Sequence, residues 1–206
     1  LIILGGLGYI VWWDVLGVVK SRSPKNRKIF RHLTLHSKIA IVSTLVLIVS
    51  GTLLIFAFEY SNQKTIGDMS LFDKLQISFF QTVTTRTAGF ATVPQENLTN
   101  ASAAVSIILM MIGGSPVGTA GGVKTVTIVV LICSAFATIR NKNGATLFGR
   151  RLSEESIKKA VAVVVMFLTI CTASTVLLMA TSNASAIDVV YETVSATATV
   201  GLTRNL

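Results

Sequence analysis

The chain contains the stretch Phe80-Gln-Thr-Val-Thr-Thr-Arg-Thr-Ala-Gly-Phe90, and a related stretch, Tyr191-Glu-Thr-Val-Ser-Ala-Thr-Ala-Thr-Val-Gly201, lies near its other end. Both combine an aromatic start with small hydroxylated residues and a glycine. Small side chains let several loops meet closely, and glycine adopts backbone angles that a Cβ disfavours. Loops of this kind can turn their carbonyl oxygens toward a bound ion. The repetition predicts a pore built from repeated units.

Composition places these two stretches in a membrane protein. Hydrophobic residues make up 51% of the 206 residues and charged residues only 13%, which is far from the balance of a soluble domain. Residues 39–58 and 160–187 carry no charge, and each run is long enough to cross the hydrocarbon core as a helix. Residues 1–19 carry one charge, Asp14, and are predicted to be the end of another span. Because the chain begins within this apolar run, we interpret it as part of a longer polypeptide.

The net charge of +9 is distributed in a way that favours membrane topology over nucleic-acid binding. Seven of the 18 Lys and Arg residues lie between Lys20 and Lys38, and six more lie between Arg140 and Lys159. Both clusters are short loops between apolar runs, which is the positive-inside pattern of cytoplasmic loops. The same loops could also meet anionic lipid or an acidic partner.

Two short segments precede the glycines. Residues 71–84 have helical spacing of apolar residues, with Asp73 in the first turn, and residues 184–195 repeat this arrangement. A helix of about 14 residues spans only about 20 Å, which is too short to cross a membrane. Each is therefore either a core helix or a re-entrant half-helix, and the glycines that follow favour the second. The C-terminal dipole ends of such half-helices would favour a cation.

A glycine-rich loop interrupts the apolar run of residues 97–140. Five glycines and a proline lie within residues 113–122, and irregular backbone at membrane depth is tolerated only where protein or a water-filled cavity covers it. We interpret the loop as a flexible gate, with a helix-packing motif of small residues as an alternative. Its candidate residues are Gly113, Gly114, Ser115, Pro116, Val117, Gly118, Thr119, Ala120, Gly121, Gly122, Val123 and Lys124.

The glycine segments supply the candidate ion site. Backbone carbonyls would bind the ion, and Arg86 would point its side chain behind the loop as a tether. Lys124 is expected to hinder cations until the loop moves. The candidate residues are Thr85, Arg86, Thr87, Ala88 and Gly89 in the first segment, and Thr197, Ala198, Thr199, Val200 and Gly201 in the second.

Other classes of protein find less support. Cys133 and Cys171 lie in apolar runs without a CxxC motif, which predicts buried free thiols. His32 and His36 are one helical turn apart, but no carboxylate or cysteine accompanies them, so a solvated loop face is favoured over a metal site. A membrane enzyme would need paired acids or a histidine cluster, whereas Asp14 and Glu192 look isolated. A structural or receptor-like protein would not need two re-entrant segments. We therefore expect no catalytic residues and no cofactor.

Three ordered motifs resemble the Ktr/Trk/HKT superfamily of potassium transporters, most closely the membrane (pore) subunit of bacterial Ktr potassium uptake systems. They are residues 80–90, the loop Gly113-Gly-Ser-Pro-Val-Gly-Thr-Ala-Gly-Gly-Val-Lys124, and Ser195-Ala-Thr-Ala-Thr-Val-Gly201. The resemblance implies an all-α transmembrane fold of helix, re-entrant pore helix, filter loop and helix, repeated around a central pore. It also implies that Gly89 and Gly201 are filter glycines and that residues 113–124 form the gate.

The resemblance divides the chain into parts of three repeats. Residues 1–36 would hold the end of the second repeat and a cytoplasmic loop. Residues 37–152 would hold the third repeat and its loop, and residues 153–206 the first part of the fourth. The segments within the third repeat are helix 37–60, pore helix 71–84, filter 85–91 and broken helix 97–140. Those within the fourth are helix 153–181, pore helix 184–195 and filter 197–202.

Function and partners follow from the same resemblance. It implies potassium-selective uptake across a bacterial cell membrane, with potassium as substrate and bound by filter carbonyls; a transporter or channel for another monovalent cation, sodium or sodium and potassium together, is the alternative. Sodium often stimulates uptake in Ktr systems, so it is a candidate activator or symported ion. The implied partners are a second pore subunit in a homodimer, a cytosolic nucleotide-binding regulatory ring and the lipid bilayer, with no nucleic acid.

Overall fold

The computed structural model describes residues 1–20, 29–115, 121–141 and 144–205. Over these residues the fold is helical, which confirms the predicted all-α class, apart from one short hairpin. We number the elements in chain order: α1 Ile2–Gly6, α2 Tyr9–Lys20, α3 Ile29–His32, α4 Leu35–Glu59, α5 Leu71–Thr84, a 3-10 turn Gln95–Asn97, α6 Asn100–Met111, α7 Thr125–Ile139, β1 Thr146–Leu147, β2 Arg150–Arg151, α8 Glu154–Thr181 and α9 Ala186–Thr197.

Two helices are long and apolar enough to cross a membrane. Helix α4 has 25 residues and α8 has 28, so each exceeds the ~30 Å of hydrocarbon at about 1.5 Å per residue. The α8 helix exposes large apolar side chains along its length, among them Val165, Met166 and Leu177. In water such a continuous apolar surface would promote association, whereas lipid accommodates it. The side chains of Thr34 and Ser153 cap the two helices at Ser37 N and Ser156 N.

The two short helices α5 and α9 start with the same cap. Ser70 Oγ accepts a hydrogen bond from Asp73 N and donates one to Asp73 Oδ2 at 2.7 Å. In α9, Ser185 and Asp188 make the same pair of contacts. The identical caps place an acid in each first turn, where the helix dipole favours it. Helix α9 ends at Thr197, which was predicted to begin the second filter; Thr197 is instead a helical residue whose hydroxyl donates to Thr193 O.

The first apolar run is broken. We expected residues 1–19 to be the end of a span, and within them α1 and α2 are separated at Gly8, whose φ is +76°. A left-handed residue cannot continue a right-handed helix, and only glycine takes this conformation without cost.

Helix α4 lies at the centre of the first half of the fold, where it packs against α2, α5, α6 and α7. Gly51 makes the contact with α5 possible, because a Cβ there would lie 2.5 Å from the Thr82 side chain. In the second half α9 packs between α6 and α8. Its core contains Ala103 and Met110 of α6, Phe167 of α8 and Tyr191 of α9.

The two basic loops meet at one end of the bundle. Strands β1 and β2 form an antiparallel hairpin in which Thr146 pairs with Arg151. Phe148 at its tip lies edge-on to Phe30 of the first loop, with ring centroids 6.2 Å apart. Among the described residues, exposed arginines at this end form what we call the basic face: Arg31, Arg140, Arg150 and Arg151.

Candidate functional site

The two glycine segments, residues 85–91 and 197–202, share an unusual backbone. In the first segment Thr87 and Gly89 have φ values of +73° and +76°, and in the second Thr199 and Gly201 have +57° and +90°. Both pairs keep the same two-residue spacing. A β-branched residue in this left-handed region is an outlier that costs on the order of 1–3 kcal/mol and is typical of functional sites. The recurrence indicates one backbone device used twice.

The first glycine segment begins with a tight turn at the end of α5. Thr85 caps α5 in a helical conformation, and its amide donates to Gln81 O at 3.1 Å. Ala88 N and Gly89 N both donate to Thr84 O, at 3.0 and 3.2 Å. The backbone therefore turns tightly at the helix end before it extends, because the terminal carbonyls of α5 still accept hydrogen bonds. Thr85 and Arg86 belong to this turn.

Hydroxyl groups fasten the far side of each segment. Thr84 Oγ1 accepts from Phe90 N and donates to Phe90 O, both at 2.7 Å. Ser195 Oγ donates to Leu202 O at 2.6 Å. In each case a hydroxyl near the end of the short helix holds the residue just after the glycine. The segments are thus fixed at both ends.

The two segments lie side by side. A Cβ built on Gly89 would collide with the carbonyl oxygen of Val200, so glycine is required there by close approach as well as by its φ. The carbonyl of Val200 consequently faces the backbone of the other segment. Because the two backbones are in contact, a movement of one segment would displace the other.

The side chain of Arg86 turns toward the scaffold. It is 9% exposed, and its Nη2 lies 3.5 Å from Thr44 Oγ1 of α4. Arg86 lines a small cavity together with Ile48 and Gly114. This placement is the one that the tether hypothesis requires, and the tether itself stays a prediction.

The ends of the glycine-rich loop are joined by a short ladder that we call the neck. Gly113 N donates to Val123 O at 2.9 Å, Val123 N to Met111 O at 3.1 Å, and Thr125 N to Gly114 O at 3.2 Å. The neck brings the end of α6 beside the start of α7. Ser115 N extends the contacts to Gly6 O of α1 at 2.8 Å.

The neck also abuts the second glycine segment. A Cβ on Gly121 would collide with Thr199 Oγ1 and the Ala198 carbonyl, and one on Gly113 would collide with the Gly121 carbonyl. Lys124 caps α7. The remaining predicted gate residues lie outside the described residues: Pro116, Val117, Gly118, Thr119 and Ala120. Within the described part of the chain, the loop ends and the glycine segments therefore form one contiguous site.

Sequence reasoning missed a buried acid. Glu59 is 1% exposed at the end of α4. Its Oε1 accepts from Thr99 N and Thr99 Oγ1 at 2.9 and 2.8 Å, and its Oε2 from Asn62 Nδ2 and Thr65 Oγ1 at 2.7 and 2.6 Å. The carboxylate joins α4 to the N-cap of α6. An acid directly after an apolar span followed by small polar residues was the available signal.

A second missed residue is Arg204, which follows the second glycine segment. It is 6% exposed, and its Nε lies 3.2 Å from Asp188 Oδ1 of α9. Its Nη2 donates to Leu98 O at 3.0 Å and to Asn100 Oδ1 at 3.3 Å. A buried cation needs a counter-charge and hydrogen-bond acceptors; Asp188 supplies the charge, and Leu98 O and Asn100 Oδ1 accept hydrogen bonds from Nη2.

The two acids that looked isolated from other acids, Asp14 and Glu192, both accept hydrogen bonds from hydroxyl and backbone donors. Asp14 Oδ2 accepts from Thr34 N and Thr34 Oγ1 at 2.9 and 2.8 Å, which joins α2 to the cap of α4. Glu192 accepts from Thr203 Oγ1 at 2.6 Å and from the Arg204 amide. Each acid thus accepts a hydrogen bond from a backbone amide: Asp14 from Thr34 at the start of α4, and Glu192 from Arg204 after the second glycine segment.

The other candidate groups stay apart. Cys133 and Cys171 are free thiols, the second buried and the first half-buried. Across residues 1–20, 29–115, 121–141 and 144–205, the His, Cys, Asp and Glu side chains form no group of three suited to a metal ion.

Comparison with known proteins defines the family. The family model for TrkH, described as a cation transport protein, matches residues 1–204. Ktr system potassium uptake protein B of Bacillus subtilis (strain 168) is 37% identical over 206 residues, covering 100% of this chain and 44% of that protein. The protein of the same name from Vibrio alginolyticus is 35% identical with the same coverage. The potassium/sodium uptake protein NtpJ of Enterococcus hirae is 33% identical, again over 100% of this chain and 44% of that protein.

A solved structure has the same fold. The crystal structure of the potassium transporter TrkH from Vibrio parahaemolyticus superimposes with a TM-score of 0.71 at 16% identity, covering 91% of this chain and 39% of that one. This likeness shows the same helical fold, and the family match together with the long apolar helices indicates a multi-pass α-helical protein of the cell membrane. The chain belongs to the TrkH family of cation transport proteins, which are transporters and not enzymes. It spans less than half the length of the curated relatives it matches.

Proposed function

We propose that the protein containing this chain takes up potassium across the cell membrane through a central pore, with the two glycine segments contributing part of a selectivity filter. The observation that carries this proposal is the repeated left-handed backbone at Thr87, Gly89, Thr199 and Gly201. Carbonyl oxygens held in a fixed turn can replace the water that a cation loses on entering a pore.

The short helices support a cation over an anion. Helices α5 and α9 both end at the glycine segments, so the negative ends of their dipoles face the site. Such ends stabilise a cation by a modest amount each, about 0.3–1 kcal/mol. An anion site would use helix N-termini instead.

We propose residues 113–124 as the gate of this pore. The neck holds the loop ends together, and Gly121 lies directly against Ala198 and Thr199. A loop anchored at this point can cover the path beside the glycine segments without disturbing α6 and α7. Glycines at the contacts allow close approach, and those contacts can separate without loss of a packed side chain.

Relatives suggest the substrate and partners. Two of them are named as potassium uptake proteins of a Ktr system, a name that implies further components. We propose a homodimer of pore subunits seated on a cytosolic nucleotide-binding ring, with the basic face turned toward that ring. Uptake of sodium along with potassium is the alternative, because NtpJ is named for both ions.

Rubidium uptake tests function and gate together. In potassium-starved cells that lack their own uptake systems, the full-length protein should accumulate rubidium. Deleting residues 116–120 leaves the neck intact and should raise the initial rate; a barrier lower by ~1.4 kcal/mol gives about tenfold. Absence of rubidium uptake by the wild type would contradict the transport proposal. Loss of uptake by the deletion variant, at normal membrane abundance, would contradict the gate.

A further inference from the structure

The linker between the first glycine segment and α6, residues 91–99, contains a buried amide that touches both short helices. Gln95 is 4% exposed. Its Oε1 accepts from Gln81 Nε2 of α5 at 2.6 Å and from Tyr191 OH of α9 at 2.9 Å. Gln81 and Tyr191 are themselves 1% and 0% exposed. One side-chain oxygen is thus shared by two helices whose contact residues are 110 positions apart in sequence.

The orientation of the Gln95 amide is fixed by a third partner. Its Nε2 donates to the carbonyl of Val93 at 2.8 Å and to Gln81 Oε1 at 3.3 Å. A carbonyl can only accept, so the nitrogen must face Val93 and the oxygen must face Tyr191. Every polar atom of this amide has a partner. Satisfied buried networks of this kind specify one arrangement of the elements that they join.

The two helices that Gln95 joins, α5 and α9, also make the hydrogen bonds that hold the glycine segments. The backbone carbonyl of Gln81 accepts a hydrogen bond from the amide of Thr85, the first residue after α5. Tyr191 lies one turn before Ser195, whose carbonyl accepts Val200 N at 2.8 Å and whose hydroxyl holds Leu202 O. A displacement of either helix is therefore transmitted to the carbonyls of its own segment.

An independent set of contacts ties the same linker to the second segment. Arg204, two residues beyond Leu202, donates to the carbonyl of Leu98 and to Asn100 Oδ1. The linker is thus bonded to α9 by Gln95 and to the chain after the second glycine segment by Arg204.

We infer that Gln95 is a positioning residue for ion selectivity, which couples the two glycine segments by holding α5 and α9 at a fixed separation. This inference rests on the proposed function of those segments. Selectivity between ions of equal charge depends on the positions of the carbonyl oxygens that bind them. Gly89 and the Val200 carbonyl of the two segments are already in contact. If the hydrogen bonds of Gln95 were lost, the distance between the two segments would vary, and the segments would then accommodate a smaller cation as well.

The test uses substitutions that keep the packing. Tyr191→Phe removes only the hydroxyl, and Gln95→Leu removes the whole bridge. In the full-length protein, sodium inhibition of rubidium uptake should rise in both variants, with the preference for rubidium over sodium falling about two- to tenfold, the effect of one lost hydrogen bond. The double variant should show less than the product of the single effects, because both remove the same contact.

The matched control is Thr175→Val. Thr175 Oγ1 lies 2.9 Å from Thr193 Oγ1, so it also bonds α9 through a side chain, but from α8, the helix that directly precedes α9. Its selectivity should equal that of the wild type. Wild-type selectivity in Tyr191→Phe and Gln95→Leu would overturn the inference and leave the proposed function standing if Gly89→Ser still loses selectivity. Equal loss in Thr175→Val would also overturn it, since any weakened contact of α9 would then suffice.

Discussion

At the scale of single residues, Thr87 and Thr199 deserve comparison with the glycines beside them. All four residues adopt positive φ, a conformation that costs free energy for a threonine but not for a glycine. The hydroxyl contacts at Thr84 and Ser195 hold the segments against that strain. Sequence reasoning found these segments because small residues recur in both. The structure places Thr85 at the C-cap of α5 and Thr197 in the last turn of α9, so the first residue of each predicted filter has helical hydrogen bonds.

Gly89→Ser should lower selectivity for potassium over sodium by roughly tenfold, a change of about 1.4 kcal/mol. The added Cβ would push against the Val200 carbonyl, so both segments would shift. Sodium competition against rubidium uptake measures the effect. Gly149→Ser is the control, because Gly149 also has a positive φ of +77° but has open space around it in the hairpin. Unaltered selectivity in Gly89→Ser would refute the filter assignment.

At the scale of elements, side chains that cross between helices hold neighbouring helices together. Glu59 joins α4 to α6, Gln95 joins α5 to α9, and Arg204 joins α9 to α6. The long and short helices themselves could be predicted, because each apolar run or cap is local. These bridges could not, since their partners lie 40, 96 and 106 residues away and periodicity carries no information on pairing.

Glu59→Leu should destabilise the protein by about 3–5 kcal/mol, because four donors, one buried and three part-buried, lose the buried carboxylate that accepts from them. Thermal unfolding of the purified full-length protein in detergent measures this loss as a lower midpoint. Glu155→Leu is the comparison, since Glu155 and Lys159 form an exposed ion pair with side chains 76% and 75% exposed, and such pairs contribute ~0–1 kcal/mol. Equal midpoints for the two variants would show that Glu59 is not the anchor described here.

At the scale of the whole molecule, two helix–glycine units stand side by side with the loop ends against one of them. Composition and charge placement predicted the membrane fold, and the comparisons confirmed the family. The break at Gly8 and the neck at Ile112 and Val123 depend on backbone angles and on contacts between distant segments. Such features emerge only when the helices are assembled. The predicted division into repeats stays a prediction.

The most direct test of the proposed site is anomalous scattering from rubidium bound to crystals of the full-length protein. We expect a peak level with Thr87 to Gly89 and with Val200 and Gly201, lined by backbone carbonyls, and we expect sodium to displace it poorly. The peak should weaken in Gly89→Ser. Rubidium bound elsewhere, with none beside these two glycine segments, would contradict the account.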